Sequence, residues 1–309
     1  MSGKKLRIPW WGIAAGLFLL IIVYAFFVLW VGKDAYIQAL LQVPIQALAV
    51  GLVLSSVNFL LRFFRWQWFL QAAYVPIPLG FSAWIFLAGL AFTMTPGKVG
   101  EVVKSVFCYD FGVPYKTTFA IVWLERLFDL LSVAALFSLG LFFLGVFWWK
   151  LACIVWVFLL GVLWVVHTHL GRKWVLRMLP RRWAPMEQWF SELDRIGTRR
   201  LLPAAMILSL VGWLCEGVAF WWILRNLSVP VGLGFAQSAY FAATLAGVFF
   251  PGGVGGTEGT LVWALSKVAT VPASLAAVTA VRAVTLGWAT CLGSIAAAGL
   301  FWRRRKEVS

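Results

Sequence analysis

Six stretches of this chain are long and apolar enough to cross a lipid bilayer: residues 9–31, about 44–64, about 117–146, about 148–168, about 202–224 and about 273–301. A crossing takes roughly 20 residues of helix. Within the hydrocarbon layer every backbone N–H and C=O must be satisfied by the chain itself, so runs of this kind fold as helices. Composition agrees, because 62% of residues are hydrophobic and 12% charged, against roughly 45–50% and about 25% in soluble domains. A soluble protein this long would lack the charge to cover its surface. The first run is too long for a signal-peptide core and has no small-residue cleavage site. The expectation is an all-α polytopic membrane protein, 1–309 being one integral membrane domain.

Charge then sets the orientation. The chain carries +15, and 15 of its 26 basic residues lie in three patches. These are Lys4, Lys5 and Arg7; the eight from Arg172 to Arg200; and Arg303 to Lys306. The excess of Lys and Arg on cytoplasmic segments predicts that both termini and a basic 169–201 loop face the cytoplasm of a cell (inner) membrane. Six crossings satisfy all three at once. A nucleic-acid partner is set aside, since such proteins gather basic charge on one folded face. Cys108, Cys153, Cys215, Cys291, His167 and His169 show no metal or redox spacing, so no metal and no cofactor are expected. No nucleotide-binding fingerprint is present, and 169–201 is only the size of a helical hairpin. ATP-driven transport is therefore not expected.

Two regions do not read as whole spans. Residues 80–107 are interrupted by Thr95-Pro96-Gly97-Lys98-Val99-Gly100, and 233–268 by Pro251-Gly252-Gly253-Val254-Gly255-Gly256. Proline and clustered glycine end helices, and irregular backbone at membrane depth must be buried in protein or line a wet cavity. Each region reads as a re-entrant helical hairpin with an irregular tip. Both tips run Pro-Gly-x-Val-Gly and then reach a glutamate, Glu101 or Glu258. The span count brings the first hairpin in from the cytoplasm and the second from the opposite face. Matching interruptions in two halves, 1–150 and 151–309, predict an inverted-repeat transporter.

Charged residues inside apolar segments cost about 2.5–3.5 kcal/mol each at mid-bilayer. Glu101, Glu125, Arg126, Asp129, Glu216, Glu258 and Arg282 are so placed. Taken singly, each reads as well as an ion pair locking helices together. Taken together they favour a functional role, because buried ion pairs stabilise poorly compared with apolar packing. Ser55, Asn58, Arg62 and Arg65 form one polar stripe on the second span, with Arg65 able to snorkel to the interface. Arg126 and Asp129, or Glu125 and Asp129, are spaced to pair within one helix. Lys98, Glu101 and Lys104 share one face, as do Thr279, Arg282 and Thr285. Helices starting at Gly97 and Gly252 would present free N–H groups. With Arg126 and Arg282 these make a phosphate site, since a guanidinium fork matches phosphate oxygens. Glu101 and Glu258 would then meet a cationic headgroup, carry a proton, or neutralise the arginines of an empty site.

The ordered motifs Thr95-Pro96-Gly97-Lys98-Val99-Gly100-Glu101, Glu125-Arg126-Leu127-Phe128-Asp129, Pro251-Gly252-Gly253-Val254-Gly255-Gly256-Thr257-Glu258-Gly259 and Arg282 resemble the flippase-like membrane domain of the lysylphosphatidylglycerol synthetase/flippase family. Trp213 and Glu216 resemble that family's Trp…Glu pair ahead of the second hairpin. The likeness extends over nearly the whole chain. It implies movement of a lipid between leaflets, with these polar residues lining the path. Family members that make lysyl-lipid carry a soluble aminoacyltransferase domain after the membrane part, and this sequence stops at Arg303–Ser309, so no aminoacylation is expected. The expected translocation site comprises Arg62, Lys98, Glu101, Glu125, Arg126, Asp129, Glu216, Glu258 and Arg282, with hairpin tips at Pro96, Gly97, Gly100, Pro251, Gly252, Gly253 and Gly255. The expected partners are lipids with anionic headgroups, and a second copy or a lipid-modifying enzyme. Two alternatives stay open: a non-transporting membrane partner of a lipid-modifying transferase, and a membrane-embedded transferase.

Overall fold

The computed structural model describes residues 10–94, 103–144, 147–178, 185–197 and 201–306, and every regular element among them is helical. In chain order these are α1 (Trp10–Val31), α2 (Lys33–Leu41), α3 (Ile45–Ala72), α4 (Leu79–Ala91), α5 (Val103–Tyr109), α6 (Tyr115–Leu139), the single turn α7 (Leu141–Leu144), α8 (Phe147–His167), α9 (His169–Met178), α10 (Pro185–Ile196), α11 (Leu201–Asn226), α12 (Leu233–Gly247), α13 (Gly256–Leu265), α14 (Val271–Arg282) and α15 (Trp288–Lys306). The protein is an all-α polytopic membrane protein.

The spans differ in number from the six expected. Among the described residues four helices are long and apolar enough to cross: Ile45–Ala72, Trp148–His167, Leu201–Asn226 and Val271–Arg303. A fifth forms only if Leu20–Val31 and Lys33–Leu41 count as one span, and these bend by 104°. The bend sits at Gly32, whose φ of 93° is a conformation that side-chain-bearing residues avoid. The remaining run, α6, is 25 residues long, enough to cross. It falls short on composition, because any bilayer-length stretch of it contains Glu125, Arg126 and Asp129. The 169–201 segment is not an open loop where it is described. Its helices α9 and α10 are joined by Arg172, whose two terminal nitrogens reach the Asp194 carboxylate at 2.6 Å each.

Packing divides the apolar side chains into two cores. One gathers Val133, Phe137, Phe220, Leu224, Tyr240, Phe241, Leu261 and Val281, from α6, α11, α12, α13 and α14. The other gathers Trp66, Phe69, Phe86, Leu90, Phe107, Leu124 and Ala296, from α3, α4, α5, α6 and α15. Each of α3, α6, α11 and the α14–α15 helix runs from one core into the other. The contacts are reciprocal: α3 lies along α11, α4 along α15, and α12 along α6. The α4–α15 approach is close because Gly293 faces the Ala91 backbone, leaving no room for a β-carbon.

Candidate functional site

Four of the helices shared by the two cores, α3, α6, α11 and α14–α15, bring their polar residues to the layer between them. A cavity of about 160 Å³ opens in that layer. Its wall includes Arg62 of α3, Arg126 and Asp129 of α6, Trp213 and Glu216 of α11, and Arg282 at the end of α14. Tyr240 of α12, the second hairpin tip at Gly252 and Gly253, and the hydroxyls of Thr93, Thr244, Thr257 and Thr285 add to the polar part.

Asp129 is the anion of one cluster. It accepts from Arg65 Nη2 at 2.9 Å and lies 3.0 Å from Arg126 Nη2 and 3.3 Å from Arg62 Nη2. Trp213 Nε1 donates to the same carboxylate at 3.4 Å. Arg65 also donates to Ser209 of α11. The polar stripe on α3 is therefore its buried contact with α11, and all of Ser55, Asn58, Arg62 and Arg65 are buried. Arg65 does not snorkel. Its carboxylate and hydroxyl partners lie inside the helix bundle, and it is completely enclosed.

The second hairpin tip is the other polar feature. Between α12 and α13 the chain passes through a short 3-10 turn, Pro251–Gly253. Gly252, Gly253 and Gly255 have φ of 59°, 76° and 90°, left-handed values that cost other residues strain. Glu258 holds the turn from inside by accepting the Gly255 N–H at 2.7 Å. Its other oxygen accepts from Arg282 Nε at 2.7 Å, and Arg282 Nη2 donates to the Gly252 carbonyl at 2.6 Å. Arg282 thus clamps the tip while its remaining terminal nitrogen, Nη1, lies beside Gly253. Directly after Arg282 the helix loosens into a π-helical turn, Ala283–Gly287, an irregularity frequent at functional sites. Thr285 in that turn reaches the cavity wall, whereas Thr279 bonds Tyr36 at 3.1 Å and does not line it. The expected pair of hydroxyls flanking Arg282 is therefore a single one, because Thr279 is taken up by Tyr36 of α2.

Glu216 is held differently from the other acids. Asn58 Nδ2 donates to one oxygen, and the Tyr240 hydroxyl to the other at 2.6 Å.

A family model described as "Lysylphosphatidylglycerol synthase TM region" matches residues 13–294. The chain belongs to that family. No curated protein matches it. Membership ties this multi-pass protein to lipid modification or translocation.

In this family member the cavity brings together Arg62, Arg126, Asp129, Glu216, Arg282, Gly252 and Gly253 of the residues singled out from sequence. Glu258, Pro251 and Gly255 belong to the tip beside it. Glu125 stands apart. Spacing made Asp129 available to it, but Glu125 takes Lys104 of α5 at 2.9 Å, and the pair is outside the cavity wall. The first tip, with Pro96, Gly97, Lys98, Gly100 and Glu101, lies outside the described residues. Tyr240 and Thr257 line the cavity and were not expected from sequence. Tyr240 sits in an apolar run and meets Glu216 only because α12 folds back on α11. Thr257 was readable merely as a tip residue.

Proposed function

We propose that the protein moves a phosphate-bearing lipid between the leaflets of a cell membrane. The headgroup passes through the cavity, and the acyl tails stay in the bilayer. One observation carries the reading: arginines from α3, α6 and α14 converge on a cavity at an irregular backbone tip, in a protein otherwise built of apolar helices. An arginine fork suits phosphate oxygens, and broken helices that meet at mid-membrane suit a substrate site. Arg282 and Arg126 hold the phosphate in this reading. Glu258 is the resting counter-ion that Arg282 exchanges for it. The reciprocal packing of α4 on α15 and α12 on α6 supports two re-entrant hairpins in an inverted repeat, entered from opposite faces.

The test is purified protein in liposomes that carry a fluorescent phosphatidylglycerol in both leaflets, with an impermeant quencher added outside. Transport exposes nearly all of the probe to the quencher. Empty liposomes, and liposomes with Arg126→Gln, leave the inner half protected. Wild-type protein that behaves like empty liposomes, with fluorescent phospho- and glycolipids alike, would turn the reading toward a non-transporting partner of a lipid-modifying enzyme.

A further inference from the structure

The five buried acids among the described residues are Glu125, Asp129, Glu192, Glu216 and Glu258. Four are ion-paired: Glu125 with Lys104, Asp129 with arginines, Glu192 with Arg195, and Glu258 with Arg282. Glu216 has no ion pair, and its oxygens take the neutral donors Asn58 and Tyr240. Burying a carboxylate is costly unless a cation compensates it. Hydrogen bonds from neutral groups offset only part of that cost. Glu216 is also on the cavity wall, where water can reach it.

We propose that Glu216 is a proton-binding site whose occupancy sets the affinity of the cavity for an anionic headgroup, an inference that rests on the lipid-translocation reading. Among the described residues, the titratable and charged groups that share the cavity with it are Arg62 of α3, Arg126 and Asp129 of α6, Tyr240 of α12 and Arg282 of α14. Cys215 adjoins it on α11. Asp129 is held by three arginines, whereas Glu216 faces neutral donors, so of the described acids on the cavity wall Glu216 is the one a proton neutralises without breaking an ion pair. A proton from cavity water adds to the Glu216 oxygen that faces Tyr240. The hydrogen of Tyr240 turns to the cavity, whose wall Tyr240 shares with the Thr285 hydroxyl. Tyr240 then accepts from the new carboxylic acid, and no group is left unpaired. The cavity gains one positive charge and attracts an anion. Loss of the proton reverses the change and favours release.

Two measurements test this. The first is infrared difference spectroscopy of the detergent-purified protein across a pH titration, with no lipid movement needed. The wild type should show a protonated-carboxylic-acid carbonyl band that fades as pH rises. Glu216→Gln should lack it. Tyr240→Phe removes a donor to the carboxylate, so the pH dependence of the band should differ from that of the wild type; a merely structural Tyr240 would leave it unchanged. The second is binding of a fluorescent short-chain phosphatidylglycerol. Affinity should rise about tenfold or more as pH falls through that titration in the wild type, and stay high and pH-independent in Glu216→Gln. Glu187→Gln, on the exposed face of α10, should titrate as the wild type does. A band unchanged by Glu216→Gln, or binding with the same pH dependence in that variant, overturns the proposal. If the band and the pH-dependent binding hold but liposomes show no lipid movement, the transport reading fails and the proton site stands.

Discussion

Two buried ion pairs of the same chemistry serve the two hairpins in different ways. In the first, Lys104 of α5 meets Glu125 of α6 at 2.9 Å with neither side chain exposed at all. The Lys104 ammonium also lies 4.8 Å from the ring centres of Trp66 and Phe86, and Gly89 leaves room for its chain. In the second, Arg282 meets Glu258 at 2.7 Å, but 13% of the arginine side chain is open and it forms part of the cavity wall. The first pair has no route by which an anion could displace Glu125. The second has one. Distance alone would rank them as equals; what surrounds each pair makes one a fastener and the other an exchangeable contact.

The sharpest way to break this comparison is at the enclosed pair. Lys104→Met strands the Glu125 charge among rings and should cost about 3–5 kcal/mol, seen as loss of monodisperse protein on size exclusion. The double change Lys104→Met with Glu125→Leu should recover folding, since well-packed apolar residues replace buried pairs without loss. A smaller effect, and one on function, is expected at the open pair. Arg282→Lys keeps the charge and loses the fork that joins Glu258 to the Gly252 carbonyl. It should weaken headgroup binding by about 1.5–3 kcal/mol, roughly ten- to a hundredfold, and leave the melting temperature within a few degrees of wild type. Full lipid binding by Arg282→Lys would make the open pair a fastener as well.

The smallest effect marks the solvent-facing limit. Arg172 and Asp194 make two contacts of 2.6 Å, shorter than either buried pair, yet the Asp194 side chain is 57% exposed. Asp194→Asn should change stability by about 0–1 kcal/mol. The hydrogen bonds from Arg172 hold the Asp194 carboxyl below the usual carboxylate range. Its contribution is therefore present above about pH 4 and lost as pH falls through the lowered value. Thermal melts of wild type and Asp194→Asn should converge in acid.

Much of this was legible in the sequence because the bilayer imposes strong rules. Long apolar runs fixed α8, α11 and the start of α3 closely, although α3 runs on to Ala72, eight residues past its expected end, and the i, i+3, i+7, i+10 spacing marked Ser55, Asn58, Arg62 and Arg65 as one face. The bend at Gly32 was not legible. Gly32-Lys33-Asp34 reads as the end of a helix, and nothing local shows that a second helix begins at once and folds back. Long-range pairing was hidden for a related reason. Asn58 meets Glu216 across 158 residues, and Arg62 and Arg65 of α3 reach Asp129 of α6 beside Arg126, the i, i+3 partner that spacing did mark, so these cross-helix partners depend on packing that no local spacing encodes. The π-turn after Arg282 was equally silent, because a change of helical register leaves no distinct residue pattern.

Thr257 ties three sites on the second hairpin into one unit of inheritance. Its hydroxyl occupies the space that a β-carbon would fill at Gly247 and lies 2.6 Å from where one would fall at Gly253. A lineage that enlarges either glycine must first shorten position 257, and one that lengthens 257 gains nothing while both glycines stay. Across descendants of this chain the three positions should therefore covary as a triplet, with alanine at 257, which removes the hydroxyl, as the step that opens the space.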